Sequence, residues 1–266
     1  MNIQEIGKNS IIASNVHYFY YDGEFFFQKM KETGWREVEL YLGTPHIFID
    51  GNGIDDFLNL PELAHKYGIT IKSVHPETIS FRYNLCSLDE TWNRKSLQCY
   101  RFCIDYAAAL GAGSLNTGIA GAFRDVDQNR IFERVTRNLS DLARYSEEKG
   151  VALILETESP EYEGFITTLE QMTRLDEQID SPALCFGLNM DALRAAGETE
   201  LQWEAQFGER IAYRRFSSVA EYQRWKKVDL QGESDRDDIF YFTGDDCLDK
   251  PFEADRLAKE VIYGSD

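Results

Sequence analysis

The 266-residue chain carries 46 acidic against 28 basic residues, a formal net charge of -18. Such a surface repels phosphate backbones and anionic lipid, and no Lys/Arg-rich stretch reverses it locally, which argues against nucleic acid and membranes as partners. No apolar run approaches the roughly 20 residues that a bilayer requires, and the opening MNIQEIGKNS lacks the basic-then-apolar order of a signal peptide, so a cytoplasmic location is expected.

Read in chain order, short β-branched or apolar runs alternate with longer segments of helical period. The predicted strands are Ile11–Ser14, Val38–Tyr41, Ile69–Val74, Ser114–Thr117, Ala152–Glu156, Leu184–Met190, Ile211–Phe216 and Ile239–Phe242. Between them the predicted helices are Phe25–Thr33, Asp55–Tyr67, Leu88–Leu110, Val126–Lys149, Leu169–Ile179, Glu200–Phe207 and Val219–Lys227, with Phe252–Ile262 closing the chain. Ser87 with Glu90, and Thr167 with Glu170, match the capping box that starts a helix. Gly34, Gly68, Gly111 and Gly150 are placed to end helices just before strands. Eight βα units in about 250 residues, undivided by linker or repeat, predict a single α/β domain over 1–266, a closed (β/α)8 TIM barrel. An open doubly wound sheet is the alternative, disfavoured because no GxGxxG follows the first strand.

The five cysteines, Cys86, Cys99, Cys103, Cys185 and Cys247, form no CxxC pair and are expected as buried free thiols. Cys99 and Cys103 stand one helical turn apart, which suits two neighbouring core thiols more than a ligand pair. The aromatic runs Tyr18–Tyr21 and Phe25–Phe27 offer either an apolar wall over a ligand or a contact between subunits, leaving a homo-oligomer open.

In a (β/α)8 barrel chemistry sits where strands end. Those positions here hold Asn15 and His17 after the first strand, Glu39 and then Thr44–His46 on the second, and His75–Thr78 after the third. Glu156 ends the fifth, followed by Glu158. His17, His46, His75 and Glu77 are candidate ligand contacts, or else turn-stabilising side chains of the loops they occupy.

The segments GWREVELYLGTPHIF, HPETISFRYN, RKSLQ within the third helix and ALILETESP together make the chain similar to the xylose isomerase-like barrels. The branch in question comprises sugar and sugar-phosphate isomerases and 3-epimerases, fructoselysine 3-epimerase among them, and the resemblance spans nearly the whole sequence. It implies a glutamate ending the fifth strand, an aspartate on the sixth, a histidine on the seventh and a glutamate on the eighth around one divalent ion. The two glutamates flank a sugar and exchange the proton beside its carbonyl, with the metal as Lewis acid.

The matching positions hold Glu156, Asn189, Arg215 and Thr243, with Asp191 two residues past Asn189 on the same strand face. Their side chains sum to no net charge, and an arginine has no lone pair for a metal. A guanidinium at 215 is expected instead to pair with Glu156. The cofactor expectation is therefore none, or a weakly held Mn, Zn, Co or Mg ion at a rebuilt site drawing on Glu156, Glu158, Asn189, Asp191, Asp245 and Asp246. Ser218 starts a helix directly after the seventh strand, and the acidic stretch DLQGESDRDD, Asp229–Asp238, reads as a solvated connection ill-suited to a phosphorylated ligand. Two functions follow: an isomerase or epimerase of a ketose-like carbohydrate with Glu156 as base and either a relocated metal or a substrate-binding Arg215 stabilising the oxyanion, or a barrel that binds a carbohydrate or a protein partner without turnover.

Overall fold

A computed structural model describes residues 11–56, 58–78, 82–159, 164–228, 236–241 and 249–263. Eight strands close into one barrel: β1 (Ile11–Ser14), β2 (Glu37–Leu42), β5 (Thr70–Pro76), β6 (Ser114–Thr117), β7 (Ala152–Glu156), β8 (Leu184–Asn189), β9 (Ile211–Phe216) and β10 (Asp237–Phe240). Each pairs in parallel with its neighbours, and β1 meets both β2 and β10, which rules out the open sheet. The helices are α1 (Gly23–Thr33), α2 (Leu60–Tyr67), α3 (Glu90–Leu110), α4 (Gln128–Lys149), α5 (Leu169–Asp176), α6 (Met190–Ala196), α7 (Glu200–Phe207), α8 (Val219–Val228) and α9 (Pro251–Tyr263). None of the described helices is long and apolar enough to cross a membrane.

Period-two alternation sorts most of the strands between two cores, while β9 departs from it at a register shift that sets Ala212 beside Tyr213 in the interior. On β2, Val38, Leu40 and Leu42 join the large cluster beneath the helices, leaving Glu39 and Tyr41 for the interior of the barrel. A second cluster of Ile12, Ala152, Ile154, Cys185, Ala212, Tyr213 and Ile239 fills that interior. The glycines expected to end helices do so: Gly34, Gly68, Gly111 and Gly150 all adopt left-handed backbone and return their N–H groups to the preceding turn. Cys86, Cys99, Cys103 and Cys185 are buried free thiols, and Cys247 lies outside the described residues.

Several local expectations are corrected. The helix predicted over Asp55–Tyr67 begins only at Leu60, because Ile54–Asp55 (β4) pairs antiparallel with Phe48–Ile49 (β3) in a hairpin that periodicity did not reveal. The caps shift as well. Asp89, not Ser87, accepts the first-turn N–H of α3, from Trp92, and the box on α5 uses Thr168 with Gln171. A short helix, α6, starts directly after β8 where none was predicted, because the Asn189 side chain caps it by accepting from the Ala192 N–H. The stretch read as a solvated connection ends instead in strand: Asp237 is buried, and Asp238 accepts from Arg214 Nε at 2.8 Å. A cation on the neighbouring strand lets an acidic sequence enter the sheet; residues 229–235 are not among those described.

The aromatic runs are absorbed within the chain only in part, Phe19 staying 40% exposed. Phe26 and Phe27 are fully buried, Phe25 stacks on Tyr21 at 4.7 Å, and the buried Tyr18 donates to Asp255 of α9 at 2.5 Å. Tyr20 remains 73% exposed.

Candidate functional site

Inside the barrel, toward the carboxyl ends of its strands, three charged side chains converge from β2, β7 and β9. Arg215 Nε donates to Glu156 Oε2 at 2.8 Å, while Nη1 and Nη2 donate to Glu39 Oε1 and Oε2 at 2.7 and 3.1 Å. All three are buried; Arg215 is 4% exposed and Glu39 not at all. Neutral donors complete the cluster. Tyr213 OH donates to Glu156 Oε2 at 2.9 Å, and Ser73 Oγ and Asn116 Nδ2 donate to Glu39 Oε2 at 3.2 and 2.6 Å. His75 Nε2 lies 3.5 Å from Glu156 Oε1. The His75 ring packs between Tyr41 and Tyr241, at centroid distances of 6.2 and 5.9 Å.

The electrostatics follow from these contacts. Burial alone would raise both carboxyls, yet Arg215 outweighs it: its charge, seconded by His75, holds Glu156 down to about 2, and Glu39 is likewise held low. Arg215 is in turn driven well above its ordinary value by Glu156 and Glu39, against the opposing effect of burial. The bridge is thus permanently ionised at any ordinary pH.

Glu158 behaves in the opposite way. Two residues beyond the strand, it is buried, and its carboxyl occupies space left by Gly118, where a Cβ would overlap it. Burial first, and the charge of Glu156 second, push it up to about 7. Two glutamates two residues apart therefore have pKa values separated by their surroundings, one bonded to a guanidinium and one seated over a glycine.

The other predicted residues divide. Glu156, Arg215 and His75 come together as expected. Glu77 is only half-buried, and its charge reaches Tyr41. His17 is drawn away from the cluster: its Nε2 lies 3.2 Å from Asp255 Oδ1, where it ties β1 to α9. His46 lies 3.0 Å from Asn15 Nδ2 through Nδ1 and 2.8 Å from the Tyr21 carbonyl through Nε2, and burial lowers its pKa. Both act as buried structural ties. Asn189 is spent as a helix cap. Asp191 is not on the strand, since β8 ends at Asn189; it sits in the first turn of α6, 2.6 Å from Arg194. Thr243, Asp245 and Asp246 lie outside the described residues. Among the described residues no three His, Cys, Asp or Glu side chains converge as a metal cage.

Glu39, noted on the second strand but given no role, and Ser73, Asn116 and Tyr213, passed over in the sequence, complete the cluster. Strand parity was the available signal: Glu39 shares a face of β2 with Tyr41, and Tyr213 shares one of β9 with Arg215. The same packing makes Gly187 on β8 indispensable, because a Cβ there would enter the Tyr213 ring. Gly187→Ala is expected to cost about 1–3 kcal/mol by overpacking, read as a lowered urea midpoint with unchanged slope; an unaltered midpoint would show that the ring is free to yield.

A profile for the xylose isomerase-like TIM barrel matches residues 27–236. The fructoselysine 3-epimerases of Shigella flexneri and Escherichia coli O157:H7 are 27% and 26% identical over 190 residues, 71% of this chain and 69% of theirs. Among solved structures, D-allulose 3-epimerase from Methylomonas sp. in complex with D-allulose superposes with a TM-score of 0.74 at 14% identity, covering 96% of each chain. The 3-keto-D-glucoside 4-epimerase of E. coli gives 0.69 at 13% identity, covering 96% of this chain and 98% of its own. At these identities the structural likeness speaks to fold alone.

Proposed function

The chain belongs to the xylose isomerase-like TIM barrel family, and from that premise we propose that its mouth binds a ketose-like carbohydrate, with Arg215 as the resident cation in place of a divalent metal ion. One observation carries this reading: the Arg215 guanidinium bonds Glu156 and Glu39 together at the centre of the barrel. The donor set fits a divalent ion poorly. Glu156 Oε2 already accepts from Arg215 and Tyr213, the Asn189 oxygen is turned to a helix, and a guanidinium offers no lone pair. A divalent cation would also be repelled by the positive charge at 215.

Under this reading Glu156 serves as a fixed anion. A carboxyl held down to about 2 is too weak a base to take a proton from carbon beside a carbonyl. Sugar recognition falls to the polar and aromatic side chains around it: Tyr41 and Tyr241 bring rings suited to the C–H face of a sugar, and His75, packed between them, brings an imidazole.

A second reading, with turnover, is favoured by Glu158. A buried carboxyl near 7 has the strength suited to proton exchange at neutral pH. Metal content of protein purified without chelator, beside Glu156→Gln, separates these functions from the metal-dependent one, together with thermal shifts against ketoses, ketose phosphates and inositols. We expect substoichiometric Mn, Zn, Co and Mg and a saturable shift with a ketose; stoichiometric metal that Glu156→Gln loses would overturn the proposal. Deuterium uptake from solvent into a bound ketose, abolished by Glu158→Gln, would establish the second reading over the first.

A further inference from the structure

The opposite end of the barrel holds a cavity of about 320 Å³. It exists because the inward positions near the strand starts are small. Ser73 on β5, Ser114 on β6 and Ala212 on β9 stand where a (β/α)8 barrel ordinarily stacks bulky branched residues. Its lining is mixed: Ser73, Ser114, Asn116 and Tyr213 bring polar groups, with Ser114 Oγ donating to Asn116 Oδ1 at 2.8 Å, and Ile12, Ile154 and Ile239 bring hydrocarbon. An apolar void stays dry, but a polar-lined one of this size takes up water or a polar guest.

We propose that this cavity is a second binding site, for a small neutral polyol of three to five carbons. The mixed lining suits a molecule that carries hydroxyls and C–H groups together. Charge argues for a neutral guest. Lys72 at the rim is paired with Glu37 at 3.6 Å, so the lysine of the lining is already neutralised and offers an anion no spare positive charge. At about 30 Å³ per water, the volume holds on the order of ten waters, or such a polyol with several. The guest would share polar partners with the central bridge, since Ser73 and Asn116 line the cavity and also donate to Glu39. The inference is independent of what the carboxyl-terminal mouth binds.

The test uses glycerol and meso-erythritol at millimolar concentration, below the range of general osmolyte effects, with binding followed by ligand-observed NMR and thermal shift on the full chain. Ala212→Leu fills part of the cavity, and Ser114→Ala removes a hydroxyl without adding volume, so the second variant decides the matter should leucine perturb folding. We expect saturable binding to the wild type, weakened at least tenfold by Ala212→Leu and measurably by Ser114→Ala. No saturable binding to the wild type, a hydrated cavity only, would overturn the proposal, as would binding that neither variant alters.

Discussion

Replacing Arg215 by methionine is expected to destabilise the protein by about 3–5 kcal/mol, the cost of removing one partner from a buried ion pair. The substitution keeps most of the volume, so little of the loss would come from a cavity. It strands Glu156 and Glu39, both at the centre of the barrel, with the hydroxyl and amide donors and His75 as their remaining partners. For a chain of this size the thermal midpoint should fall by roughly 10 °C. Restoring neutrality should reverse the effect: the triple variant Glu39→Gln, Glu156→Gln, Arg215→Met is expected to recover most of the midpoint, because an uncharged cluster escapes the desolvation that the bridge must overcome. An Arg215→Met midpoint equal to that of the wild type would mean that the carboxylates find solvent or another cation, and the bridge would lose its structural role.

Glu158→Gln is expected to stabilise the protein, and to do so only above acid pH. Glu158 has its folded pKa raised, from the ordinary 4.5 to about 7. The folded state therefore holds this proton more tightly than the unfolded state does. That advantage is complete below about 4.5 and is lost as pH rises to about 7, after which the buried carboxylate stands as a penalty. Gln has no such dependence. The difference between variant and wild type should open by on the order of 3 kcal/mol between pH 4.5 and 8, read from urea unfolding across that range. Glu156 runs the other way: its folded pKa is lowered to about 2, so its contribution is present above the ordinary carboxyl value of 4.5 and is lost as pH falls toward 2. A difference that stays flat across neutrality would place Glu158 in contact with solvent or a cation.

These two expectations describe one arrangement. Arg215 satisfies Glu39 and Glu156 and leaves Glu158, the third glutamate near it, without an equivalent partner charge. A barrel mouth of this kind has one fixed ion cluster and one carboxyl that titrates near neutrality. Any chemistry at the mouth is expected to follow Glu158 in its pH dependence.

Much of the molecule was legible in the sequence. Apolar periodicity located all eight barrel strands, because a strand must place an apolar face under a helix and its neighbours cannot do this for it. The glycines after α1, α2, α3 and α4 were readable for an equally local reason, since few other residues adopt left-handed backbone without strain. The pairing of Arg215 with Glu156 was implied by the family resemblance, which set both at its ligand positions, together with the rule that a buried charge needs a partner.

What required the tertiary structure was every choice between equivalent local solutions. Whether Asp89 or Ser87 capped α3, and whether Asn189 faced the barrel or a helix, depended on backbone directions that neighbouring elements impose. His17 and His46 stood at strand ends as much as His75 did; only the packing of α9 and of the loop after β2 withdrew them into ties with Asp255 and Asn15. Glu39 joins Arg215 across 176 positions of sequence. No local pattern encodes that approach, because it is the closing of the barrel between β10 and β1 that brings β2 and β9 to the same centre.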